Sequence, residues 1–482
     1  MRRVPNGMVR PAWRVLNHQA GLTYNDTELP DGTTKSYWTE GAFYDLTMAD
    51  VEQLETAGKA LRRMVIDAVD HIVATCPRRE RAVRSAAYLS AVCTPATCLM
   101  SKLGIPEFCH EQMIRTWLDG DAEAWTHRDK DLDGQYPQQT GDFSPSVYSR
   151  FDLRFAGDGS DPKLLEYNGQ TPTSLIESAV VQWLWSDQTD QSRHPERQYN
   201  SIHDRLVGWD PEPELGDPGD EGAWRRNIAA LRAARPWLPE KPKIFFAYET
   251  SETSGEDRMN TAYLQETAAQ AGFPTELIAM SQIGHDVATD RMVFKRYADD
   301  PDYLAEPIDV IFMLYPWEWL WHQEGAKAIF RDVARPDKRG TVWIEPPYTA
   351  LWSNKGILAV LWKLFGDKPE GRYLLPAYFE DERPAQMTSY ARKPIWGREG
   401  ANVTLVRDGQ VIAANDGPYG SEGFVVQELC ELPVFDSVEG PKRPVVGLWL
   451  IEGEPAGVGV REGDLITDDE TNFTPHTIGS HL

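Results

Sequence analysis

Two short stretches of the chain, RFDLR and LLEYN, hold polar side chains whose types and spacing could do chemistry. Alternate residues of a β-strand face the same side, so Arg150 and Asp152 share one face of the first stretch, and Glu166 and Asn168 share one face of the second. The link between them, Ala-Gly-Asp-Gly-Ser-Asp-Pro, has the composition of a turn and predicts a hairpin. Pairing would gather two carboxylates, an amide oxygen and a guanidinium, which suit Mg²⁺ and a phosphoryl group in transfer. The alternative is a solvated hairpin face that carries an Arg–Asp ion pair.

A helix is predicted directly after the hairpin. Ser174 and Glu177 have the spacing of a capping box, and apolar residues follow at helical intervals. The free N–H groups at the amino end of this helix, together with the hydroxyls of Thr171 and Thr173, could receive an anionic group of a substrate. The candidate metal site would therefore adjoin a candidate anion site.

The second strand and this helix have the sequence LLEYNGQTPTSLIESAVVQWLW, which resembles the synthetase domain of the glutathionylspermidine synthetase family, a branch of the ATP-grasp ligases. Further segments that resemble the family follow in order: LYPWEW (314–319), WIEPPYTALWSNKGILAVLW (343–362), LLPAYF (374–379), KPIWGREGAN (393–402), GPYGSEGFVVQE (417–428) and GLWLIEGEPAGVGVREGDLIT (447–467). The resemblance covers almost the whole chain and is closest to stand-alone members that lack an amidase domain. It implies an α/β fold of the ATP-grasp type with a pre-ATP-grasp α/β region. It also implies an ATP- and Mg²⁺-dependent carboxylate–amine ligase that works through an acyl phosphate.

The resemblance also implies roles for single residues. Asp152, Glu166 and Asn168 would be ligands of two Mg²⁺ ions, and Lys355 and Lys393 would contact the phosphates of ATP. Glu399 and Gly400 would form a lid over the phosphates. The edge of the adenine would be lined by Gln427, Glu428, Leu429 and Cys430, and the floor beneath the base by Leu465 and Ile466.

Two arginines are expected at the transferred phosphoryl group by the same resemblance. Arg150 would bind ATP and stabilise the charge of the transition state, and Arg461 would reach back towards the phosphoryl group. The alternative for Arg461 is a surface ion pair with Glu462 or Asp464.

The substrate side departs from the family pattern. Thr171 and Thr173 stand where bifunctional members favour serines for the peptide substrate, and Gln170 stands where an aspartate is common. Glu256 and Asp257 form an acidic pair of the sort that holds a polyamine in the family, although acids at a helix start are also ordinary partners of the helix dipole. Glutathione and a polyamine are therefore candidate substrates. The alternatives are a peptide ligase that uses an amino acid or peptide amine, and a non-catalytic ATP-binding regulatory protein.

Composition limits the classes of function. The net charge of −25 argues against sequence-independent binding of nucleic acid or an anionic membrane. The start of the chain has no apolar leader and no apolar run approaches a membrane span, so we expect a cytoplasmic protein. The five cysteines do not form metal-type pairs, since the Cys93–Cys98 spacing does not match the usual zinc motif and no second pair follows. They are expected to be reduced thiols in packing roles, and His110 is expected to be structural.

The 482 residues predict two or three packed lobes. Residues 1–140 are expected to be mainly helical, with one helix opened by Thr47 and Asp50. Residues 141–350 would hold the metal-binding hairpin and a parallel α/β substrate region, interrupted by a polar surface insertion at 187–222. Residues 351–482, with short strands separated by turn sequences, would form the nucleotide-binding lobe and its lid.

Overall fold

The protein is described by a computed structural model. It describes residues 1–5, 7–28, 32–79, 92–120, 146–189, 197–211, 219–252, 254–296, 305–333, 335, 339–468 and 471–479. Across these ranges, every helix is too short or too polar to cross a membrane.

Helices and strands are intermixed along the chain, as expected for an α/β protein. The α-helices are α1 Trp13–Gln19, α2 Met48–Ala74, α3 Leu99–Lys102, α4 His110–Gly120, α5 Gln182–Thr189, α6 Ile202–Val207, α7 Ala223–Ala234, α8 Glu256–Gln270, α9 Trp317–Leu320, α10 Ala326–Val333, α11 Thr349–Ser353 and α12 Ile357–Phe365. The strands are β1 Arg2–Val4, β2 Asp26–Glu28, β3 Thr34–Ser36, β4 Phe43–Leu46, β5 Tyr148–Arg154, β6 Lys163–Asn168, β7 Ile244–Tyr248, β8 Thr275–Ala279, β9 Ile283–Asp286, β10 Arg291–Phe294, β11 Glu306–Pro307, β12 Val310–Leu314, β13 Val342–Ile344, β14 Ala377–Phe379, β15 Tyr390–Pro394, β16 Thr404–Arg407, β17 Gln410–Ala414, β18 Phe424–Glu428, β19 Arg443–Ile451, β20 Glu454–Gly463, β21 Asn472–Thr474 and β22 His476–Ile478.

The predicted hairpin is confirmed. Strands β5 and β6 pair antiparallel, with Arg150 opposite Asn168 and Asp152 opposite Glu166. The hairpin continues into a sheet with the order β21-β20-β19-β5-β6, so the metal-type residues share a sheet with Arg461 of β20.

A second antiparallel sheet, with the order β14-β18-β15-β16-β17, confirms the short strands predicted after residue 351. Two side chains join it to the hairpin. Lys393 Nζ donates to the carbonyl oxygen of Leu165 at 2.8 Å, and Gln427 Nε2 donates to that of Leu164 at 2.8 Å. The cleft between the two sheets is therefore fixed by hydrogen bonds at its base.

The predicted parallel region is also confirmed. Its sheet has the order β13-β12-β7-β8, all pairs being parallel. Both faces of β7 and β12 are buried, which explains why these strands read as continuous apolar runs. Helix α8 packs on β7 and presents its amino end, with Glu256 and Asp257, to the end of the hairpin region.

Among the described residues of 1–140, helix exceeds strand, as predicted, but four short strands are present as well. Helix α2 does form, and its capping box of Thr47 and Asp50 is present. However, β1 and β4 form a sheet with β22, which lies near the far end of the chain. Local sequence patterns cannot reveal a pairing between segments so far apart, so this sheet joins strands from the first and the third predicted range.

Of the surface insertion predicted over 187–222, residues 190–196 and 212–218 lie outside the described residues, and the rest differs in part from a surface loop. Helix α5 runs to Thr189, and the described residues 197–211 contain helix α6, whose Ile202 and Leu206 are buried. Tyr199 N–H donates to the ring of His476 at 3.1 Å. These residues cover β19 and β20 despite the polar composition around them.

Candidate functional site

The candidate metal ligands lie together on the hairpin. Asn168 Nδ2 lies 3.1 Å from Asp152 Oδ2 and 3.1 Å from Glu166 Oε1. Asp152 is buried, whereas Glu166 keeps 27 % of its side chain exposed towards the cleft. One amide group thus bridges both carboxylates, so their oxygens converge closely enough to share a partner. Carboxylate oxygens are hard ligands, so Asp152 and Glu166 fit a cation such as Mg²⁺. Asn168 presents its amide nitrogen to them here, and its amide group must turn over to offer its oxygen to the same cation.

Positive side chains surround these carboxylates. Arg150 Nε donates to Asp152 Oδ1 at 2.7 Å, and an Nη of Arg461 donates to Asp152 Oδ2 at 2.6 Å. Lys355 Nζ lies 3.0 Å from Glu166 Oε2. Arg461 therefore points into the site rather than to a surface partner, and the alternative of an ion pair with Glu462 or Asp464 is wrong. Glu462 instead pairs with Arg3.

The two lysines control the protonation of the site. Desolvation disfavours the charged form of Glu166, but the charges of Lys355 and Lys393 outweigh it and hold the pKa of Glu166 well below its usual value. Burial lowers the pKa of Lys393 to about 8, against the attraction of Glu166. Glu166 is therefore ionised at neutral pH, and Lys393 is poised to gain charge stabilisation from an incoming anion.

One cavity brings together most of the residues expected around a nucleotide. Its floor is apolar, because Ala391, Val403 and Leu405 form a buried cluster against which Leu429, Leu465 and Ile466 pack. Residues from both sheets and from the expected lid line this cavity: Asp152, Glu166, Lys355, Lys393, Glu399, Gly400, Gln427, Glu428, Leu429, Cys430, Arg461, Leu465 and Ile466. An apolar slot that opens onto lysines and carboxylates matches the polarity of a nucleoside phosphate, which has an apolar base at one end and charged phosphates at the other.

The expected lid residues close one side of this cavity. Glu399 and Gly400 are both in the left-handed backbone region, with φ of 52° and 67°. A Cβ on Gly400 would lie 2.6 Å from the carbonyl oxygen of Thr467, so only glycine allows this approach. Lys355 Nζ donates to the carbonyl oxygen of Gly397 at 2.8 Å, which ties the start of the loop to a candidate phosphate ligand.

The predicted capping box at the following helix is wrong. Ser174 has a φ of 64°, and the first helical N–H groups, of Leu175 and Ile176, point to Asn260 Oδ1 at 3.0 and 3.4 Å. These donors are already occupied, so the helix start is not a free anion site. The sequence missed this because the cap comes from helix α8, far along the chain.

Glu177 does not cap the helix and lies instead in an acidic cluster with Glu256 and Asp257. Tyr37 donates its hydroxyl to Glu177 Oε1 at 2.7 Å, and the hydroxyl of Thr173 hydrogen-bonds to Glu256. Burial, reinforced by the charge of Glu256, raises the pKa of Glu177 to about 7. Burial and neighbouring acids likewise raise the pKa of Asp257 to about 7, and burial raises that of Glu256. Three crowded carboxylates of this kind are stabilised by a bound cation.

Arg398 is a further site residue that sequence reasoning missed. Its guanidinium donates to Thr171 Oγ1 at 2.8 Å and to Glu318 Oε1 at 3.1 Å. Gln170 Nε2 donates to the other oxygen of Glu318 at 2.8 Å. The position of Arg398 between the lid glycines was the available signal. Its contacts link the lid to the residues before the helix.

Comparisons with known proteins relate the sequence to one family. The sequence model of the family described as "Glutathionylspermidine synthase preATP-grasp" matches residues 6–94 and 138–479. A protein of Haemophilus influenzae named "Putative acid--amine ligase" is 30% identical over 493 residues, which cover 99% of each chain.

Two larger relatives match a smaller part of the chain. The bifunctional glutathionylspermidine synthetase/amidase of Escherichia coli is 25% identical over 337 residues, covering 67% of this chain and 48% of that one. The trypanothione synthetase of Crithidia fasciculata is 24% identical over 353 residues, covering 68% and 46%. The chain therefore aligns with about half the length of these two enzymes.

Proposed function

Because the chain belongs to the glutathionylspermidine synthase family, we propose that it is an ATP- and Mg²⁺-dependent ligase that joins a small-molecule carboxylate to an amine through an acyl phosphate. The observation that carries the proposal is the single cavity in which an apolar slot, two lysines, Arg461 and the hairpin carboxylates meet. Since such an enzyme consumes ATP, we also propose that it works in the cytoplasm.

In this proposal ATP lies in the cavity between the two sheets. The adenine occupies the apolar slot over Leu465 and Ile466, beside the residues from Gln427 to Cys430. The phosphates replace Glu166 as partners of Lys355 and meet Lys393, whose charge they stabilise. Glu399 and Gly400 cover the phosphates and exclude water that would hydrolyse the acyl phosphate.

Asp152, Glu166 and Asn168 would hold Mg²⁺, which would neutralise charge on the phosphate oxygens. Arg150 and Arg461 would stabilise the remaining negative charge of the transferred phosphoryl group. Arg150 and Arg461 both contact Asp152 in the structure, so their guanidiniums are already oriented beside the metal ligands. Preorganised donors of this kind stabilise charge that develops in the transition state without further reorganisation.

The reaction proceeds in two transfers. A carboxylate oxygen of the substrate attacks the γ-phosphorus of ATP, forming an O–P bond while the bond to ADP breaks. The amine nitrogen then attacks the acyl carbon, phosphate leaves, and the amine gives up a proton. Asp257 and Glu177 have pKa values near 7, so either carboxylate is able to accept that proton at neutral pH.

The substrates we propose are a peptide carboxylate such as glutathione and a polyamine. Thr171 and Thr173 follow the hairpin along the chain, and Thr173 interacts with both Arg150 and Glu256. The two threonines would contact the carboxylate substrate. Glu256 and Asp257, joined by Glu177, would bind a cationic amine. An amino acid or peptide acceptor, whose own carboxylate these acids would repel, is the second candidate within the same chemistry.

A matrix of carboxylates against amines, assayed for ADP release with MgATP, tests the proposal. The expected result is ADP release that needs both substrates and that is lost in Lys393→Met. Lys363→Met is the matched control, because Lys363 is an exposed lysine on α12, the helix that follows Lys355. A protein that binds MgATP but releases no ADP with any pair would be the non-catalytic alternative and would overturn the proposal.

A further inference from the structure

Three cysteines and a histidine meet outside the lining of the nucleotide cavity. One ligand atom of each of Cys76, Cys93, Cys98 and His110 lies within 4.8 Å of every other. The sulfur of Cys76 is 3.9 Å from that of Cys93 and 3.5 Å from that of Cys98. A disulfide would need about 2.05 Å, so these are separate thiols at the spacing of neighbouring ligands around one ion.

The four residues come from different elements. Cys76 follows the end of α2, Cys98 immediately precedes α3, and His110 begins α4. Cys76, Cys98 and His110 are buried, with exposures of 4, 3 and 0 %. Three of the four ligands are therefore supplied by packed helix ends, which restricts their movement, and the half-buried Cys93 lies outside any helix.

The histidine is oriented as a metal ligand. Its Nε2 lies 3.0 Å from the carbonyl oxygen of Ile105, whereas its Nδ1 is buried, makes no hydrogen bond of normal geometry among the described residues, and shares the cluster with the thiol of Cys98. A ligating histidine characteristically bonds a backbone carbonyl through its second nitrogen, which leaves the first for the metal. Packing alone does not explain a fully buried imidazole nitrogen that lacks a well-formed hydrogen bond and lies beside three thiols.

We propose that Cys76, Cys93, Cys98 and His110 bind a structural Zn²⁺ ion. Three sulfurs and one imidazole nitrogen make a closed tetrahedral set of the kind zinc takes in structural sites, and they suit neither Mg²⁺ nor Ca²⁺, which prefer oxygen. The sequence did not reveal the site because only Cys93 and Cys98 are close in the chain. The expectation of thiols in mere packing roles is replaced by this proposal.

The zinc site has a direct structural connection to the nucleotide cavity. Leu103, at the end of α3, accepts a hydrogen bond from Trp396 Nε1 at 2.8 Å. The side chain of Leu103 also lies close to Gly356, so that a Cβ added to Gly356 would collide with the leucine side chain. Gly356 follows Lys355 and Trp396 precedes the lid loop, so loss of zinc should loosen both and weaken the binding of ATP.

The first test is the zinc content of the purified full-length protein. Protein produced with zinc in the medium and purified without chelators should contain one zinc per chain by mass spectrometry of the metal. Cys93→Ser removes the most exposed ligand and should lower zinc retention by at least the roughly 10- to 100-fold that even loss of an outer-shell partner costs. Cys430→Ser, at a half-buried thiol outside the cluster, should retain zinc as wild type does.

The second test does not depend on any variant folding. Wild-type protein refilled with Co²⁺ should show the thiolate-to-cobalt charge-transfer band and the intense visible bands of a tetrahedral site. Absence of zinc from folded wild-type protein, an octahedral cobalt spectrum, a disulfide among the three cysteines, or full zinc retention in Cys93→Ser would each overturn the proposal. None of these readouts requires ligase activity, so the zinc site and the ligase reaction can fail separately.

Discussion

Glu166 offers a sharp distinction between a metal ligand and an ordinary ion-pair partner. Its carboxylate contacts both Asn168 and Lys355 in the structure. Replacement by glutamine keeps the size and the hydrogen bond with Asn168 but removes the charge. If Glu166 holds Mg²⁺, this change should abolish the effect of the metal on ATP binding, whereas a purely structural glutamate would affect stability only.

The expected magnitudes follow from the geometry. Two unit charges 3.0 Å apart, the distance from Lys355 Nζ to Glu166 Oε2, attract by about 5 kcal/mol at an effective dielectric constant near 20. Because Glu166 is partly exposed and desolvation offsets much of this attraction, the free energy of unfolding should fall by about 1–3 kcal/mol. Turnover should fall more steeply, by about 10²-fold or more, since the lost charge belongs to the phosphoryl-transfer site.

The assay is calorimetric titration of Glu166→Gln with ATP, with and without Mg²⁺, beside a turnover measurement. Metal-free ATP should bind the variant at least as tightly as it binds wild type, because a negative charge near the phosphates is gone. Mg²⁺ should then add little. Glu431→Gln, which neutralises an exposed carboxylate paired with Arg407, serves as the control. Turnover above about a tenth of wild type, or an undiminished Mg²⁺ effect on ATP binding, would refute the assignment.

Two further predictions concern the amine pocket and the lid. Asp257 and Glu177 have pKa values near 7 and must ionise to bind a cation. KM for a polyamine should therefore fall about tenfold between about pH 6 and pH 8, and Asp257→Asn should flatten this profile. An amine KM independent of pH in wild type would contradict a pocket that binds a cationic amine. Gly400→Ala forces a Cβ against the carbonyl oxygen of Thr467 at a positive φ, so KM for ATP should rise, and the melting temperature without ligand should fall slightly because this strain costs about 1–2 kcal/mol. An unchanged KM for ATP would show that the lid does not cover the nucleotide.

The local parts of the site were predictable from the sequence. Strand alternation and a turn-forming link predicted the hairpin and the side chains that share each face, because both signals lie within a few residues of one another. The register, which sets Arg150 opposite Asn168 and Asp152 opposite Glu166, came only from the structure. The family resemblance pointed to the residues that line the cavity, Lys355 and Lys393 among them. These features depend on short-range geometry or on long motifs that occur in order.

Long-range features could not be predicted. Ser174 fits a capping box by spacing, but Asn260 supplies the cap from another helix. The link between the beginning and the end of the chain, through β4 and β22, leaves no trace in a local pattern. The cluster of Cys76, Cys93, Cys98 and His110 could not be predicted for the same reason. Its members come from separate parts of the chain and have no characteristic spacing in the sequence.

The most direct test of the proposed ligase chemistry follows one oxygen atom. The carboxylate substrate is labelled with ¹⁸O and converted with MgATP, and the mass of the released phosphate is measured by mass spectrometry. Glutathione with spermidine is the first pair to try, followed by any pair that releases ADP. An acyl phosphate requires that the carboxylate oxygen that attacked phosphorus leaves with the phosphate. The expected result is therefore one ¹⁸O in the inorganic phosphate for each amide formed. Label in AMP, or amide formed with unlabelled phosphate, would contradict the proposed reaction.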